Sequence, residues 1–227
     1  MTVVHFGRGD QQLAAPVHFA LIHYGEDELR EGVFNFLEPA LNDPKQGIYL
    51  CGPEGEASRF LDSLAASAGR DVRADVADRR IILGHGDRDA DQQLRNLLDP
   101  LRELSERGFS VVRVVGPAAW GVIGYAAPED FLWYESRILP GIEGLNAAVM
   151  CTYDAARLPA RALVYGALET HTHTMIGGVL SESSSFMPAD RYLRTRLIHL
   201  PWLEPGDERV TPPSEDRPER GQRSQTR

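Results

Sequence analysis

The first apolar strand and the turn after it constrain the possible folds of this chain more than any other feature of the sequence. Residues 16–29 read Pro-Val-His-Phe-Ala-Leu-Ile-His-Tyr-Gly-Glu-Asp-Glu-Leu, so an apolar run passes through a polar turn into an acidic helix start. Nucleotide-binding α/β domains begin in this way, but their turn is glycine-rich and carries a lysine that reaches the phosphates. Here Gly25 is the only glycine of the turn, and the three carboxylates that follow it would repel a polyphosphate. The sequence therefore predicts the scaffold of a nucleotide-binding protein without its phosphate chemistry, which favours sensing or binding over catalysis.

Charge and composition narrow the function further. Lys45 is the single lysine of the chain and lies beyond the first predicted helix, so the Walker-type lysine is absent. A formal net charge of −9 argues against direct nucleic-acid binding, which needs a clustered basic surface. Charged residues interrupt every apolar run well short of about 18 residues, and the N-terminus lacks the apolar core of a signal peptide. We therefore expect a cytoplasmic protein without membrane association, in which Cys51 and Cys151 are free thiols.

Apolar runs of strand length alternate with segments of helical periodicity along the middle of the chain. Predicted strands cover residues 17–24, 47–51, 80–83, 109–115, 145–153, 172–180 and 192–200. Predicted helices cover residues 26–40, 57–69 and 91–107, and two more begin at Pro128 and Pro159. Gly69 is predicted to end its helix in the left-handed conformation, and Arg113 lies on the opposite face of its strand from its apolar neighbours. This order predicts an α/β domain with a mostly parallel central sheet, helices on both faces, and antiparallel edge strands near the C-terminus.

The two ends of the chain differ in composition from this middle part. Residues 1–15 contain Gly7-Arg-Gly-Asp10 and two glutamines, which predicts a flexible N-terminal arm. From residue 204 onwards the chain is rich in Pro, Glu, Arg, Ser and Gln, which predicts a disordered tail at residues 204–227. The folded domain is therefore expected at residues 16–203.

Five short segments follow one another in an order that is typical of one family of sensory domains. They are residues 18–24 with their acidic helix start, Gly47-Ile-Tyr-Leu50, Arg113-Val-Val-Gly-Pro-Ala-Ala-Trp120, Trp133-Tyr-Glu135, and Val149-Met-Cys-Thr-Tyr-Asp154 followed by a helix and a histidine. On these segments the chain resembles the MEDS family, the methanogen/methylotroph DcmR-type sensory domain, over roughly residues 18–180.

The resemblance implies both a fold and a function. MEDS domains are degenerate relatives of RecA- and KaiC-like ATPases, so it implies a three-layer sandwich of that kind. It also implies a non-catalytic cytoplasmic domain that senses a small organic molecule. Such domains commonly sit beside a helix-turn-helix or kinase-like module, and no such module fits in 227 residues. We therefore expect the chain to act in signal transduction, including transcription regulation, through a separate regulatory protein.

Several polar residues are predicted to meet at one edge of the sheet. In an open parallel sheet, ligands bind beyond the carboxyl ends of the strands. Side chains with polar tips on apolar bodies suit a mostly apolar pocket with a few fixed hydrogen bonds, whereas the aromatic ones could equally be core residues. The candidate ligand-binding residues are His23, Tyr24, Trp120, Glu135, Cys151, Tyr153, Asp154, His171 and His173.

Histidine and cysteine also raise the question of a metal site, because imidazole nitrogen and thiolate are preferred ligands of zinc, copper and iron. The available ligands are His18, His23, Cys151, His171 and His173. His18 and His23 are five residues apart on one strand, so they point to opposite faces and cannot both reach one ion. We therefore expect hydrogen-bonded structural histidines, with no metal and no cofactor. Cys151 lies in an apolar strand, where burial makes a packed thiol more probable than a nucleophile, so no catalytic residue is assigned.

Two further functions remain open. The acidic charge and the tail are compatible with a protein-interaction module for a kinase or anti-sigma-type partner that binds no ligand. A metal-dependent hydrolase or a residual ATPase is less favoured, because the phosphate-loop lysine is missing. Since RecA-like domains often pair, a homodimer is compatible with either function.

Overall fold

The structure is a computed structural model that describes residues 2–52, 55–69, 71–118 and 128–196. Its β-strands are, in chain order, β1 Thr2–His5, β2 Gln12–Ala15, β3 Val17–His23, β4 Gln46–Gly52, β5 Ile81–His85, β6 Val111–Pro117, β7 Ala147–Asp154, β8 His173–Ile176 and β9 Val179–Glu182. Its α-helices are α1 Glu26–Asn42, α2 Glu56–Ala68, α3 Arg73–Ala77, α4 Ala90–Glu106, α5 Pro128–Gly141 and α6 Ala189–Thr195. Residues Ala162–Leu168 form a π-helix, where the sequence pattern predicts an ordinary helix.

In these described ranges, seven strands form one sheet in the order β5-β4-β6-β7-β3-β8-β9. All neighbouring pairs are parallel except β8 and β9, which form an antiparallel hairpin at the edge. The predicted α/β class with a mostly parallel sheet and an antiparallel edge is therefore confirmed. The single strand predicted at residues 172–180 is this hairpin. No helix in the described residues is long and apolar enough to cross a membrane.

The central strands are apolar throughout because helices cover both faces of the sheet. All seven residues of β3 are buried, and successive side chains alternate between two hydrophobic cores. Phe19 and Leu21 pack on the side of α1 and α2, whereas Ala20 and Ile22 pack on the side of α4, α5 and the π-helix. We call these the α1 face and the α5 face of the sheet.

Arg113 is buried on the α1 face. Its guanidinium donates from Nη1 to the Phe36 carbonyl at 2.7 Å and from Nε to Gln46 Oε1 at 2.9 Å. Burial lowers the pKa of Arg113 to about 10, an effect that Asp43 opposes. The prediction that Arg113 lies opposite its apolar neighbours is confirmed, and α1 covers that face.

The N-terminal residues are ordered, contrary to the predicted flexible arm. Strands β1 and β2 pair with each other from Thr2↔Ala15 to His5↔Gln12, and Val4, Phe6 and Leu13 are buried in the core of the α1 face. Burial of these apolar side chains stabilises the packing of the hairpin on the domain.

Near the other end, the strand predicted at residues 192–200 is wrong over residues 192–195, which belong to α6. Pro188 precedes this helix at its N-cap position, and Tyr192 is buried with its hydroxyl donating to the Tyr165 carbonyl at 2.7 Å. Residues 197–200 and the predicted disordered tail lie outside the described residues.

Gly69 ends α2 in the left-handed conformation, as the sequence predicts. Its φ is 62°, and its amide donates to the Ala66 carbonyl.

Gly84 in β5 allows close packing against Tyr49. A Cβ atom at Gly84 would overlap the Tyr49 ring and hydroxyl, and Tyr49 cannot move easily because it is buried and donates to the Asn96 carbonyl at 2.9 Å. We expect Gly84→Ala to lower the free energy of unfolding by about 1–3 kcal/mol through overpacking. Gly116→Ala in β6 is the matched control, because no described atom lies within 4 Å of the added Cβ. Urea unfolding of both variants measures the difference, and equal losses would contradict the overlap.

Candidate functional site

Four polar side chains meet on the α5 face of the sheet, and we call them the polar cluster. His18 comes from β3, Cys151 from β7, Glu135 from α5, and His171 from the segment between the π-helix and β8. None of the four is more than 4% exposed. The domain therefore buries four titratable groups where apolar side chains would be expected.

The local structure explains how each member reaches this place. In the parallel pair of β3 and β7, His18 is in register with Val149, so His18 and Cys151 share the same face of the sheet. On α5, Phe131 and Ile138 are buried, and helical spacing brings Glu135 to the same side. The chain then bends at Thr170 and Thr172, which turns His171 inwards.

The atoms of the polar cluster approach one another closely. Glu135 Oε2 lies 3.3 Å from His18 Nε2 and 3.3 Å from His171 Nε2. His18 Nε2 also lies 3.3 Å from Cys151 Sγ, and the two imidazole rings are tilted by 41° with their centroids 3.8 Å apart. Each side chain offers one potential ligand atom, and these atoms all lie within 4.8 Å of one another.

Several of these atoms lack a hydrogen-bond partner. Although they are close to polar neighbours, Glu135 Oε2, His171 Nε2 and the Tyr153 hydroxyl have no partner of hydrogen-bond geometry in the described residues. A buried polar atom without a partner costs about 1–3 kcal/mol, more when it is charged. Burial of these polar atoms is therefore energetically unfavourable unless a further atom or ion lies between them.

Burial controls the protonation of the polar cluster. It lowers the pKa of His18 to about 3, and burial together with the neighbouring His18 lowers the pKa of His171 to about 3, against a smaller raising effect of Glu135. Burial raises the pKa of Glu135, which His171, Cys151 and Tyr153 oppose. Burial and the nearby Glu135 raise the pKa of the Cys151 thiol well above its usual value. Both imidazoles are therefore neutral at pH 7.

A small cavity connects the polar cluster to the carboxyl edge of the sheet. Its volume is about 30 Å³, enough for a water molecule or two. Its walls are Cys51, Gly52, Gln93, Gly116, Pro117, Ala118, Phe131, Tyr134, Glu135 and Cys151. A larger groove of about 490 Å³ lies on the α1 face, but its one basic residue, Arg8, is already paired with Glu31 at 2.8 Å. The smaller cavity is the one that reaches the buried titratable groups.

Comparison with known proteins identifies the family of this domain. Residues 17–172 match the family described as MEDS, the MEthanogen/methylotroph, DcmR Sensory domain. The chain belongs to the MEDS family. Among solved structures, this MEDS domain is similar to a KaiC-like protein from the hyperthermophilic archaeon Pyrococcus horikoshii, with 12% identity and a TM-score of 0.54 over 77% of this chain and 80% of that one. The predicted family and its RecA/KaiC-like fold are confirmed, and no curated protein matches the chain.

The structure brings some of the predicted site residues of this MEDS domain together. Glu135, Cys151 and His171 belong to the polar cluster. Tyr153 lies against it, with its ring edge-on to His171 at a centroid distance of 5.6 Å. Gly166 of the π-helix allows this packing, because a Cβ atom there would come within 3.1 Å of the Tyr153 hydroxyl.

The remaining predicted residues are elsewhere or outside the described residues. His23 and Asp154 are paired at the ends of β3 and β7, and His23 Nδ1 contacts the Gly25 carbonyl at 3.1 Å. Tyr24 is 67% exposed, so its side chain does not line the buried cavity. His173 Nδ1 contacts the Thr172 hydroxyl at 3.0 Å, and the bends at Thr170 and Thr172 separate it from His171. Trp120 lies outside the described residues.

His18 is the cluster member that the ligand-binding assignment omitted. The alternation of side chains correctly separates it from His23, but the rule that ligands bind at strand ends favoured His23. One signal in the sequence points to His18, since a histidine at the second position of an otherwise apolar strand requires a buried polar partner.

Proposed function

We propose that this MEDS domain is a non-catalytic cytoplasmic sensor. It binds a small organic ligand in the cavity beside Glu135 and Cys151 and signals through a separate regulatory protein. The observation that carries this proposal is the joining of a buried polar cluster to a cavity at the carboxyl edge of the sheet. Ligand sites of open α/β sheets lie at this edge, and a few polar groups in an apolar wall orient a small molecule.

The junction between β3 and α1 supports binding without phosphate chemistry. Only Tyr24 and Gly25 separate the strand from the helix, whereas a phosphate-binding loop needs several residues whose amides surround the phosphates. The first turn of α1 contains Glu26, Asp27 and Glu28, which already complement the positive end of the helix dipole. A nucleotide phosphate at this place would meet carboxylates.

The size of the cavity limits the ligand. At about 30 Å³ it accepts one or two heavy atoms, so a larger ligand binds only if the surrounding side chains move apart. Its walls combine apolar Phe131 and Ala118 with polar Gln93 and Glu135. A small, weakly polar organic molecule fits this combination better than an ionic one.

Native mass spectrometry of freshly purified protein tests the proposal. We expect a co-purifying organic mass at one copy per chain. Ala118→Val narrows the cavity and is expected to lower the affinity for the ligand about tenfold, because a loss of about 1.4 kcal/mol lies within the usual cost of overpacking. Ala156→Val, at an exposed position, is the matched control. A native mass equal to that of the chain alone would contradict the proposal. If a pull-down then captured a regulatory protein equally with both variants, the protein-interaction module would be favoured instead.

A further inference from the structure

The four side chains of the polar cluster are placed as metal ligands. We propose that His18 Nε2, Glu135 Oε2, Cys151 Sγ and His171 Nε2 bind one Zn²⁺-class divalent ion in tetrahedral coordination. This site goes beyond the proposed sensing of an organic ligand and does not depend on it.

Three of the six distances between the proposed ligand atoms are close to those of tetrahedral coordination, and the other three are within 4.8 Å. Around zinc, bonds of about 2.0–2.1 Å to nitrogen or oxygen and about 2.3 Å to sulfur place neighbouring ligand atoms roughly 3.3–3.7 Å apart. Glu135 Oε2 lies 3.3 Å from each imidazole Nε2, and His18 Nε2 lies 3.3 Å from Cys151 Sγ. Hydrogen bonds between such groups would be shorter, at about 2.7–2.9 Å between nitrogen and a carboxylate.

The tautomer of His171 requires a proton or a cation between its Nε2 and Glu135. His171 Nδ1 lies 3.1 Å from the Gly166 carbonyl and 3.0 Å from Thr170 Oγ1, and that hydroxyl donates its own hydrogen to Gly166 at 2.6 Å. Both neighbours therefore accept, so Nδ1 carries the hydrogen of the neutral ring. Nε2 then directs a lone pair at the Glu135 carboxyl, an arrangement that needs a proton or a cation between the two acceptors.

The same contacts form the outer shell that metal-bound histidines usually have. A ligating histidine donates its other ring N–H to a carbonyl or carboxylate, which fixes the ring orientation. Gly166 and Thr170 supply this support from the π-helix and its end. A π-helical turn is itself enriched at functional sites.

Charge balance is satisfied by a divalent ion at this place. No arginine or lysine is among the described groups that shift the pKa of Glu135 or Cys151. A carboxylate and a thiolate in the interior, without a cation, would be strongly unfavourable. A divalent ion with one carboxylate, one thiolate and two neutral imidazoles has no net charge. The mixed nitrogen, sulfur and oxygen ligand set suits zinc-class ions and not Mg²⁺ or Ca²⁺, which prefer oxygen ligands alone.

Metal analysis of the full chain, purified without chelator, tests the site. We expect about one zinc-class ion per chain by elemental analysis, and about one equivalent of Co²⁺ taken up after chelator treatment. Bound Co²⁺ should show the strong visible bands of tetrahedral coordination together with a thiolate-to-cobalt charge-transfer band. Cys151→Ser should remove the charge-transfer band and weaken binding by about tenfold or more.

Cys51→Ser is the matched control, since Cys51 is a second buried thiol on the same face of the sheet. This variant should keep the cobalt spectrum of the wild type. Glu135→Gln should weaken Co²⁺ binding without removing the charge-transfer band. If a variant fails to fold, the wild-type spectrum decides. Folded wild-type protein that takes up no Co²⁺, or Co²⁺ binding that Cys151→Ser leaves unchanged, would overturn the proposal. Loss of the organic mass in native spectra with the metal retained would instead affect only the proposed sensing function.

Discussion

Arg113→Ala is expected to lower the free energy of unfolding by about 3–4 kcal/mol, because it removes a fully buried cation from the α1 face. The Arg113 guanidinium donates to the Phe36 carbonyl and to Gln46, and it lies 5.2 Å from the centre of the Phe36 ring. Truncation leaves a cavity as well as two acceptors without their donor. Chemical denaturation followed by circular dichroism measures the loss.

Two further variants separate the sources of this loss. Arg102→Ala removes a 53% exposed arginine that pairs only with Asp99 on the same helix, and it should cost no more than about 0.5 kcal/mol. Arg113→Met fills most of the volume without the hydrogen bonds, so it should cost less than Arg113→Ala. A loss from Arg113→Ala as small as that from Arg102→Ala would show that the buried guanidinium contributes little to stability.

Acidification of the chelator-treated protein from pH 6.5 to pH 5 should lower its free energy of unfolding by about 1–3 kcal/mol. The pKa values of His18 and His171 are depressed to about 3 in the folded state, whereas unfolded histidine has a pKa of about 6.5. Between these values the unfolded chain binds more protons, so stability is fully present above pH 6.5 and falls as the pH decreases.

Glu135 opposes this trend. Its pKa is raised in the folded state, so its contribution to stability improves as the pH falls towards the unfolded value. If only the two histidines take part, the loss of unfolding free energy is at the upper end of the expected range. If Glu135 also takes up a proton in the folded state, the loss is at the lower end. Unfolding curves at several pH values measure the slope.

Substitution identifies the groups responsible. His171→Asn should reduce the slope of unfolding free energy against pH by half or more, since one of the two histidine protons is lost from the linkage while Glu135 still opposes the other. His85→Asn, at an exposed position, should leave the slope unchanged. An unaltered slope in His171→Asn would mean that other groups control the acid response.

The fold could be predicted closely because its signals are local and repeated. β3, β4 and α4 begin and end within a few residues of their predicted bounds, since long apolar periods and glycine stops define them. The N-terminal hairpin was missed because each of its strands has four residues and the turn between them is polar and glycine-rich. The helix α6 was mistaken for a strand because seven residues are too few to show a helical period.

The site was predicted only in part, for a geometric reason. The expectation of a site at the strand ends included Glu135, Cys151 and His171, which belong to the polar cluster, but also His23 and Tyr24, which lie at the end of β3 and just after it. The polar cluster is deeper, at the second residue of β3 and the fifth of β7. Which interior positions of two strands face each other depends on their register, and strands buried on both faces, as β3 and β7 are, carry no alternating pattern to specify it.

The long sequence separations within the polar cluster have a consequence for how the domain folds. His18 and Cys151 are 133 positions apart, and β7 lies between β3 and β6 in the sheet although it follows both in the chain. Contacts between such distant segments form only after long loops have closed, which makes them slow to appear. The cluster is therefore completed late, after β7 has entered the sheet, and a nascent chain shorter than about 171 residues cannot assemble it. The proposed metal-binding signature of the polar cluster would thus report a late step of folding.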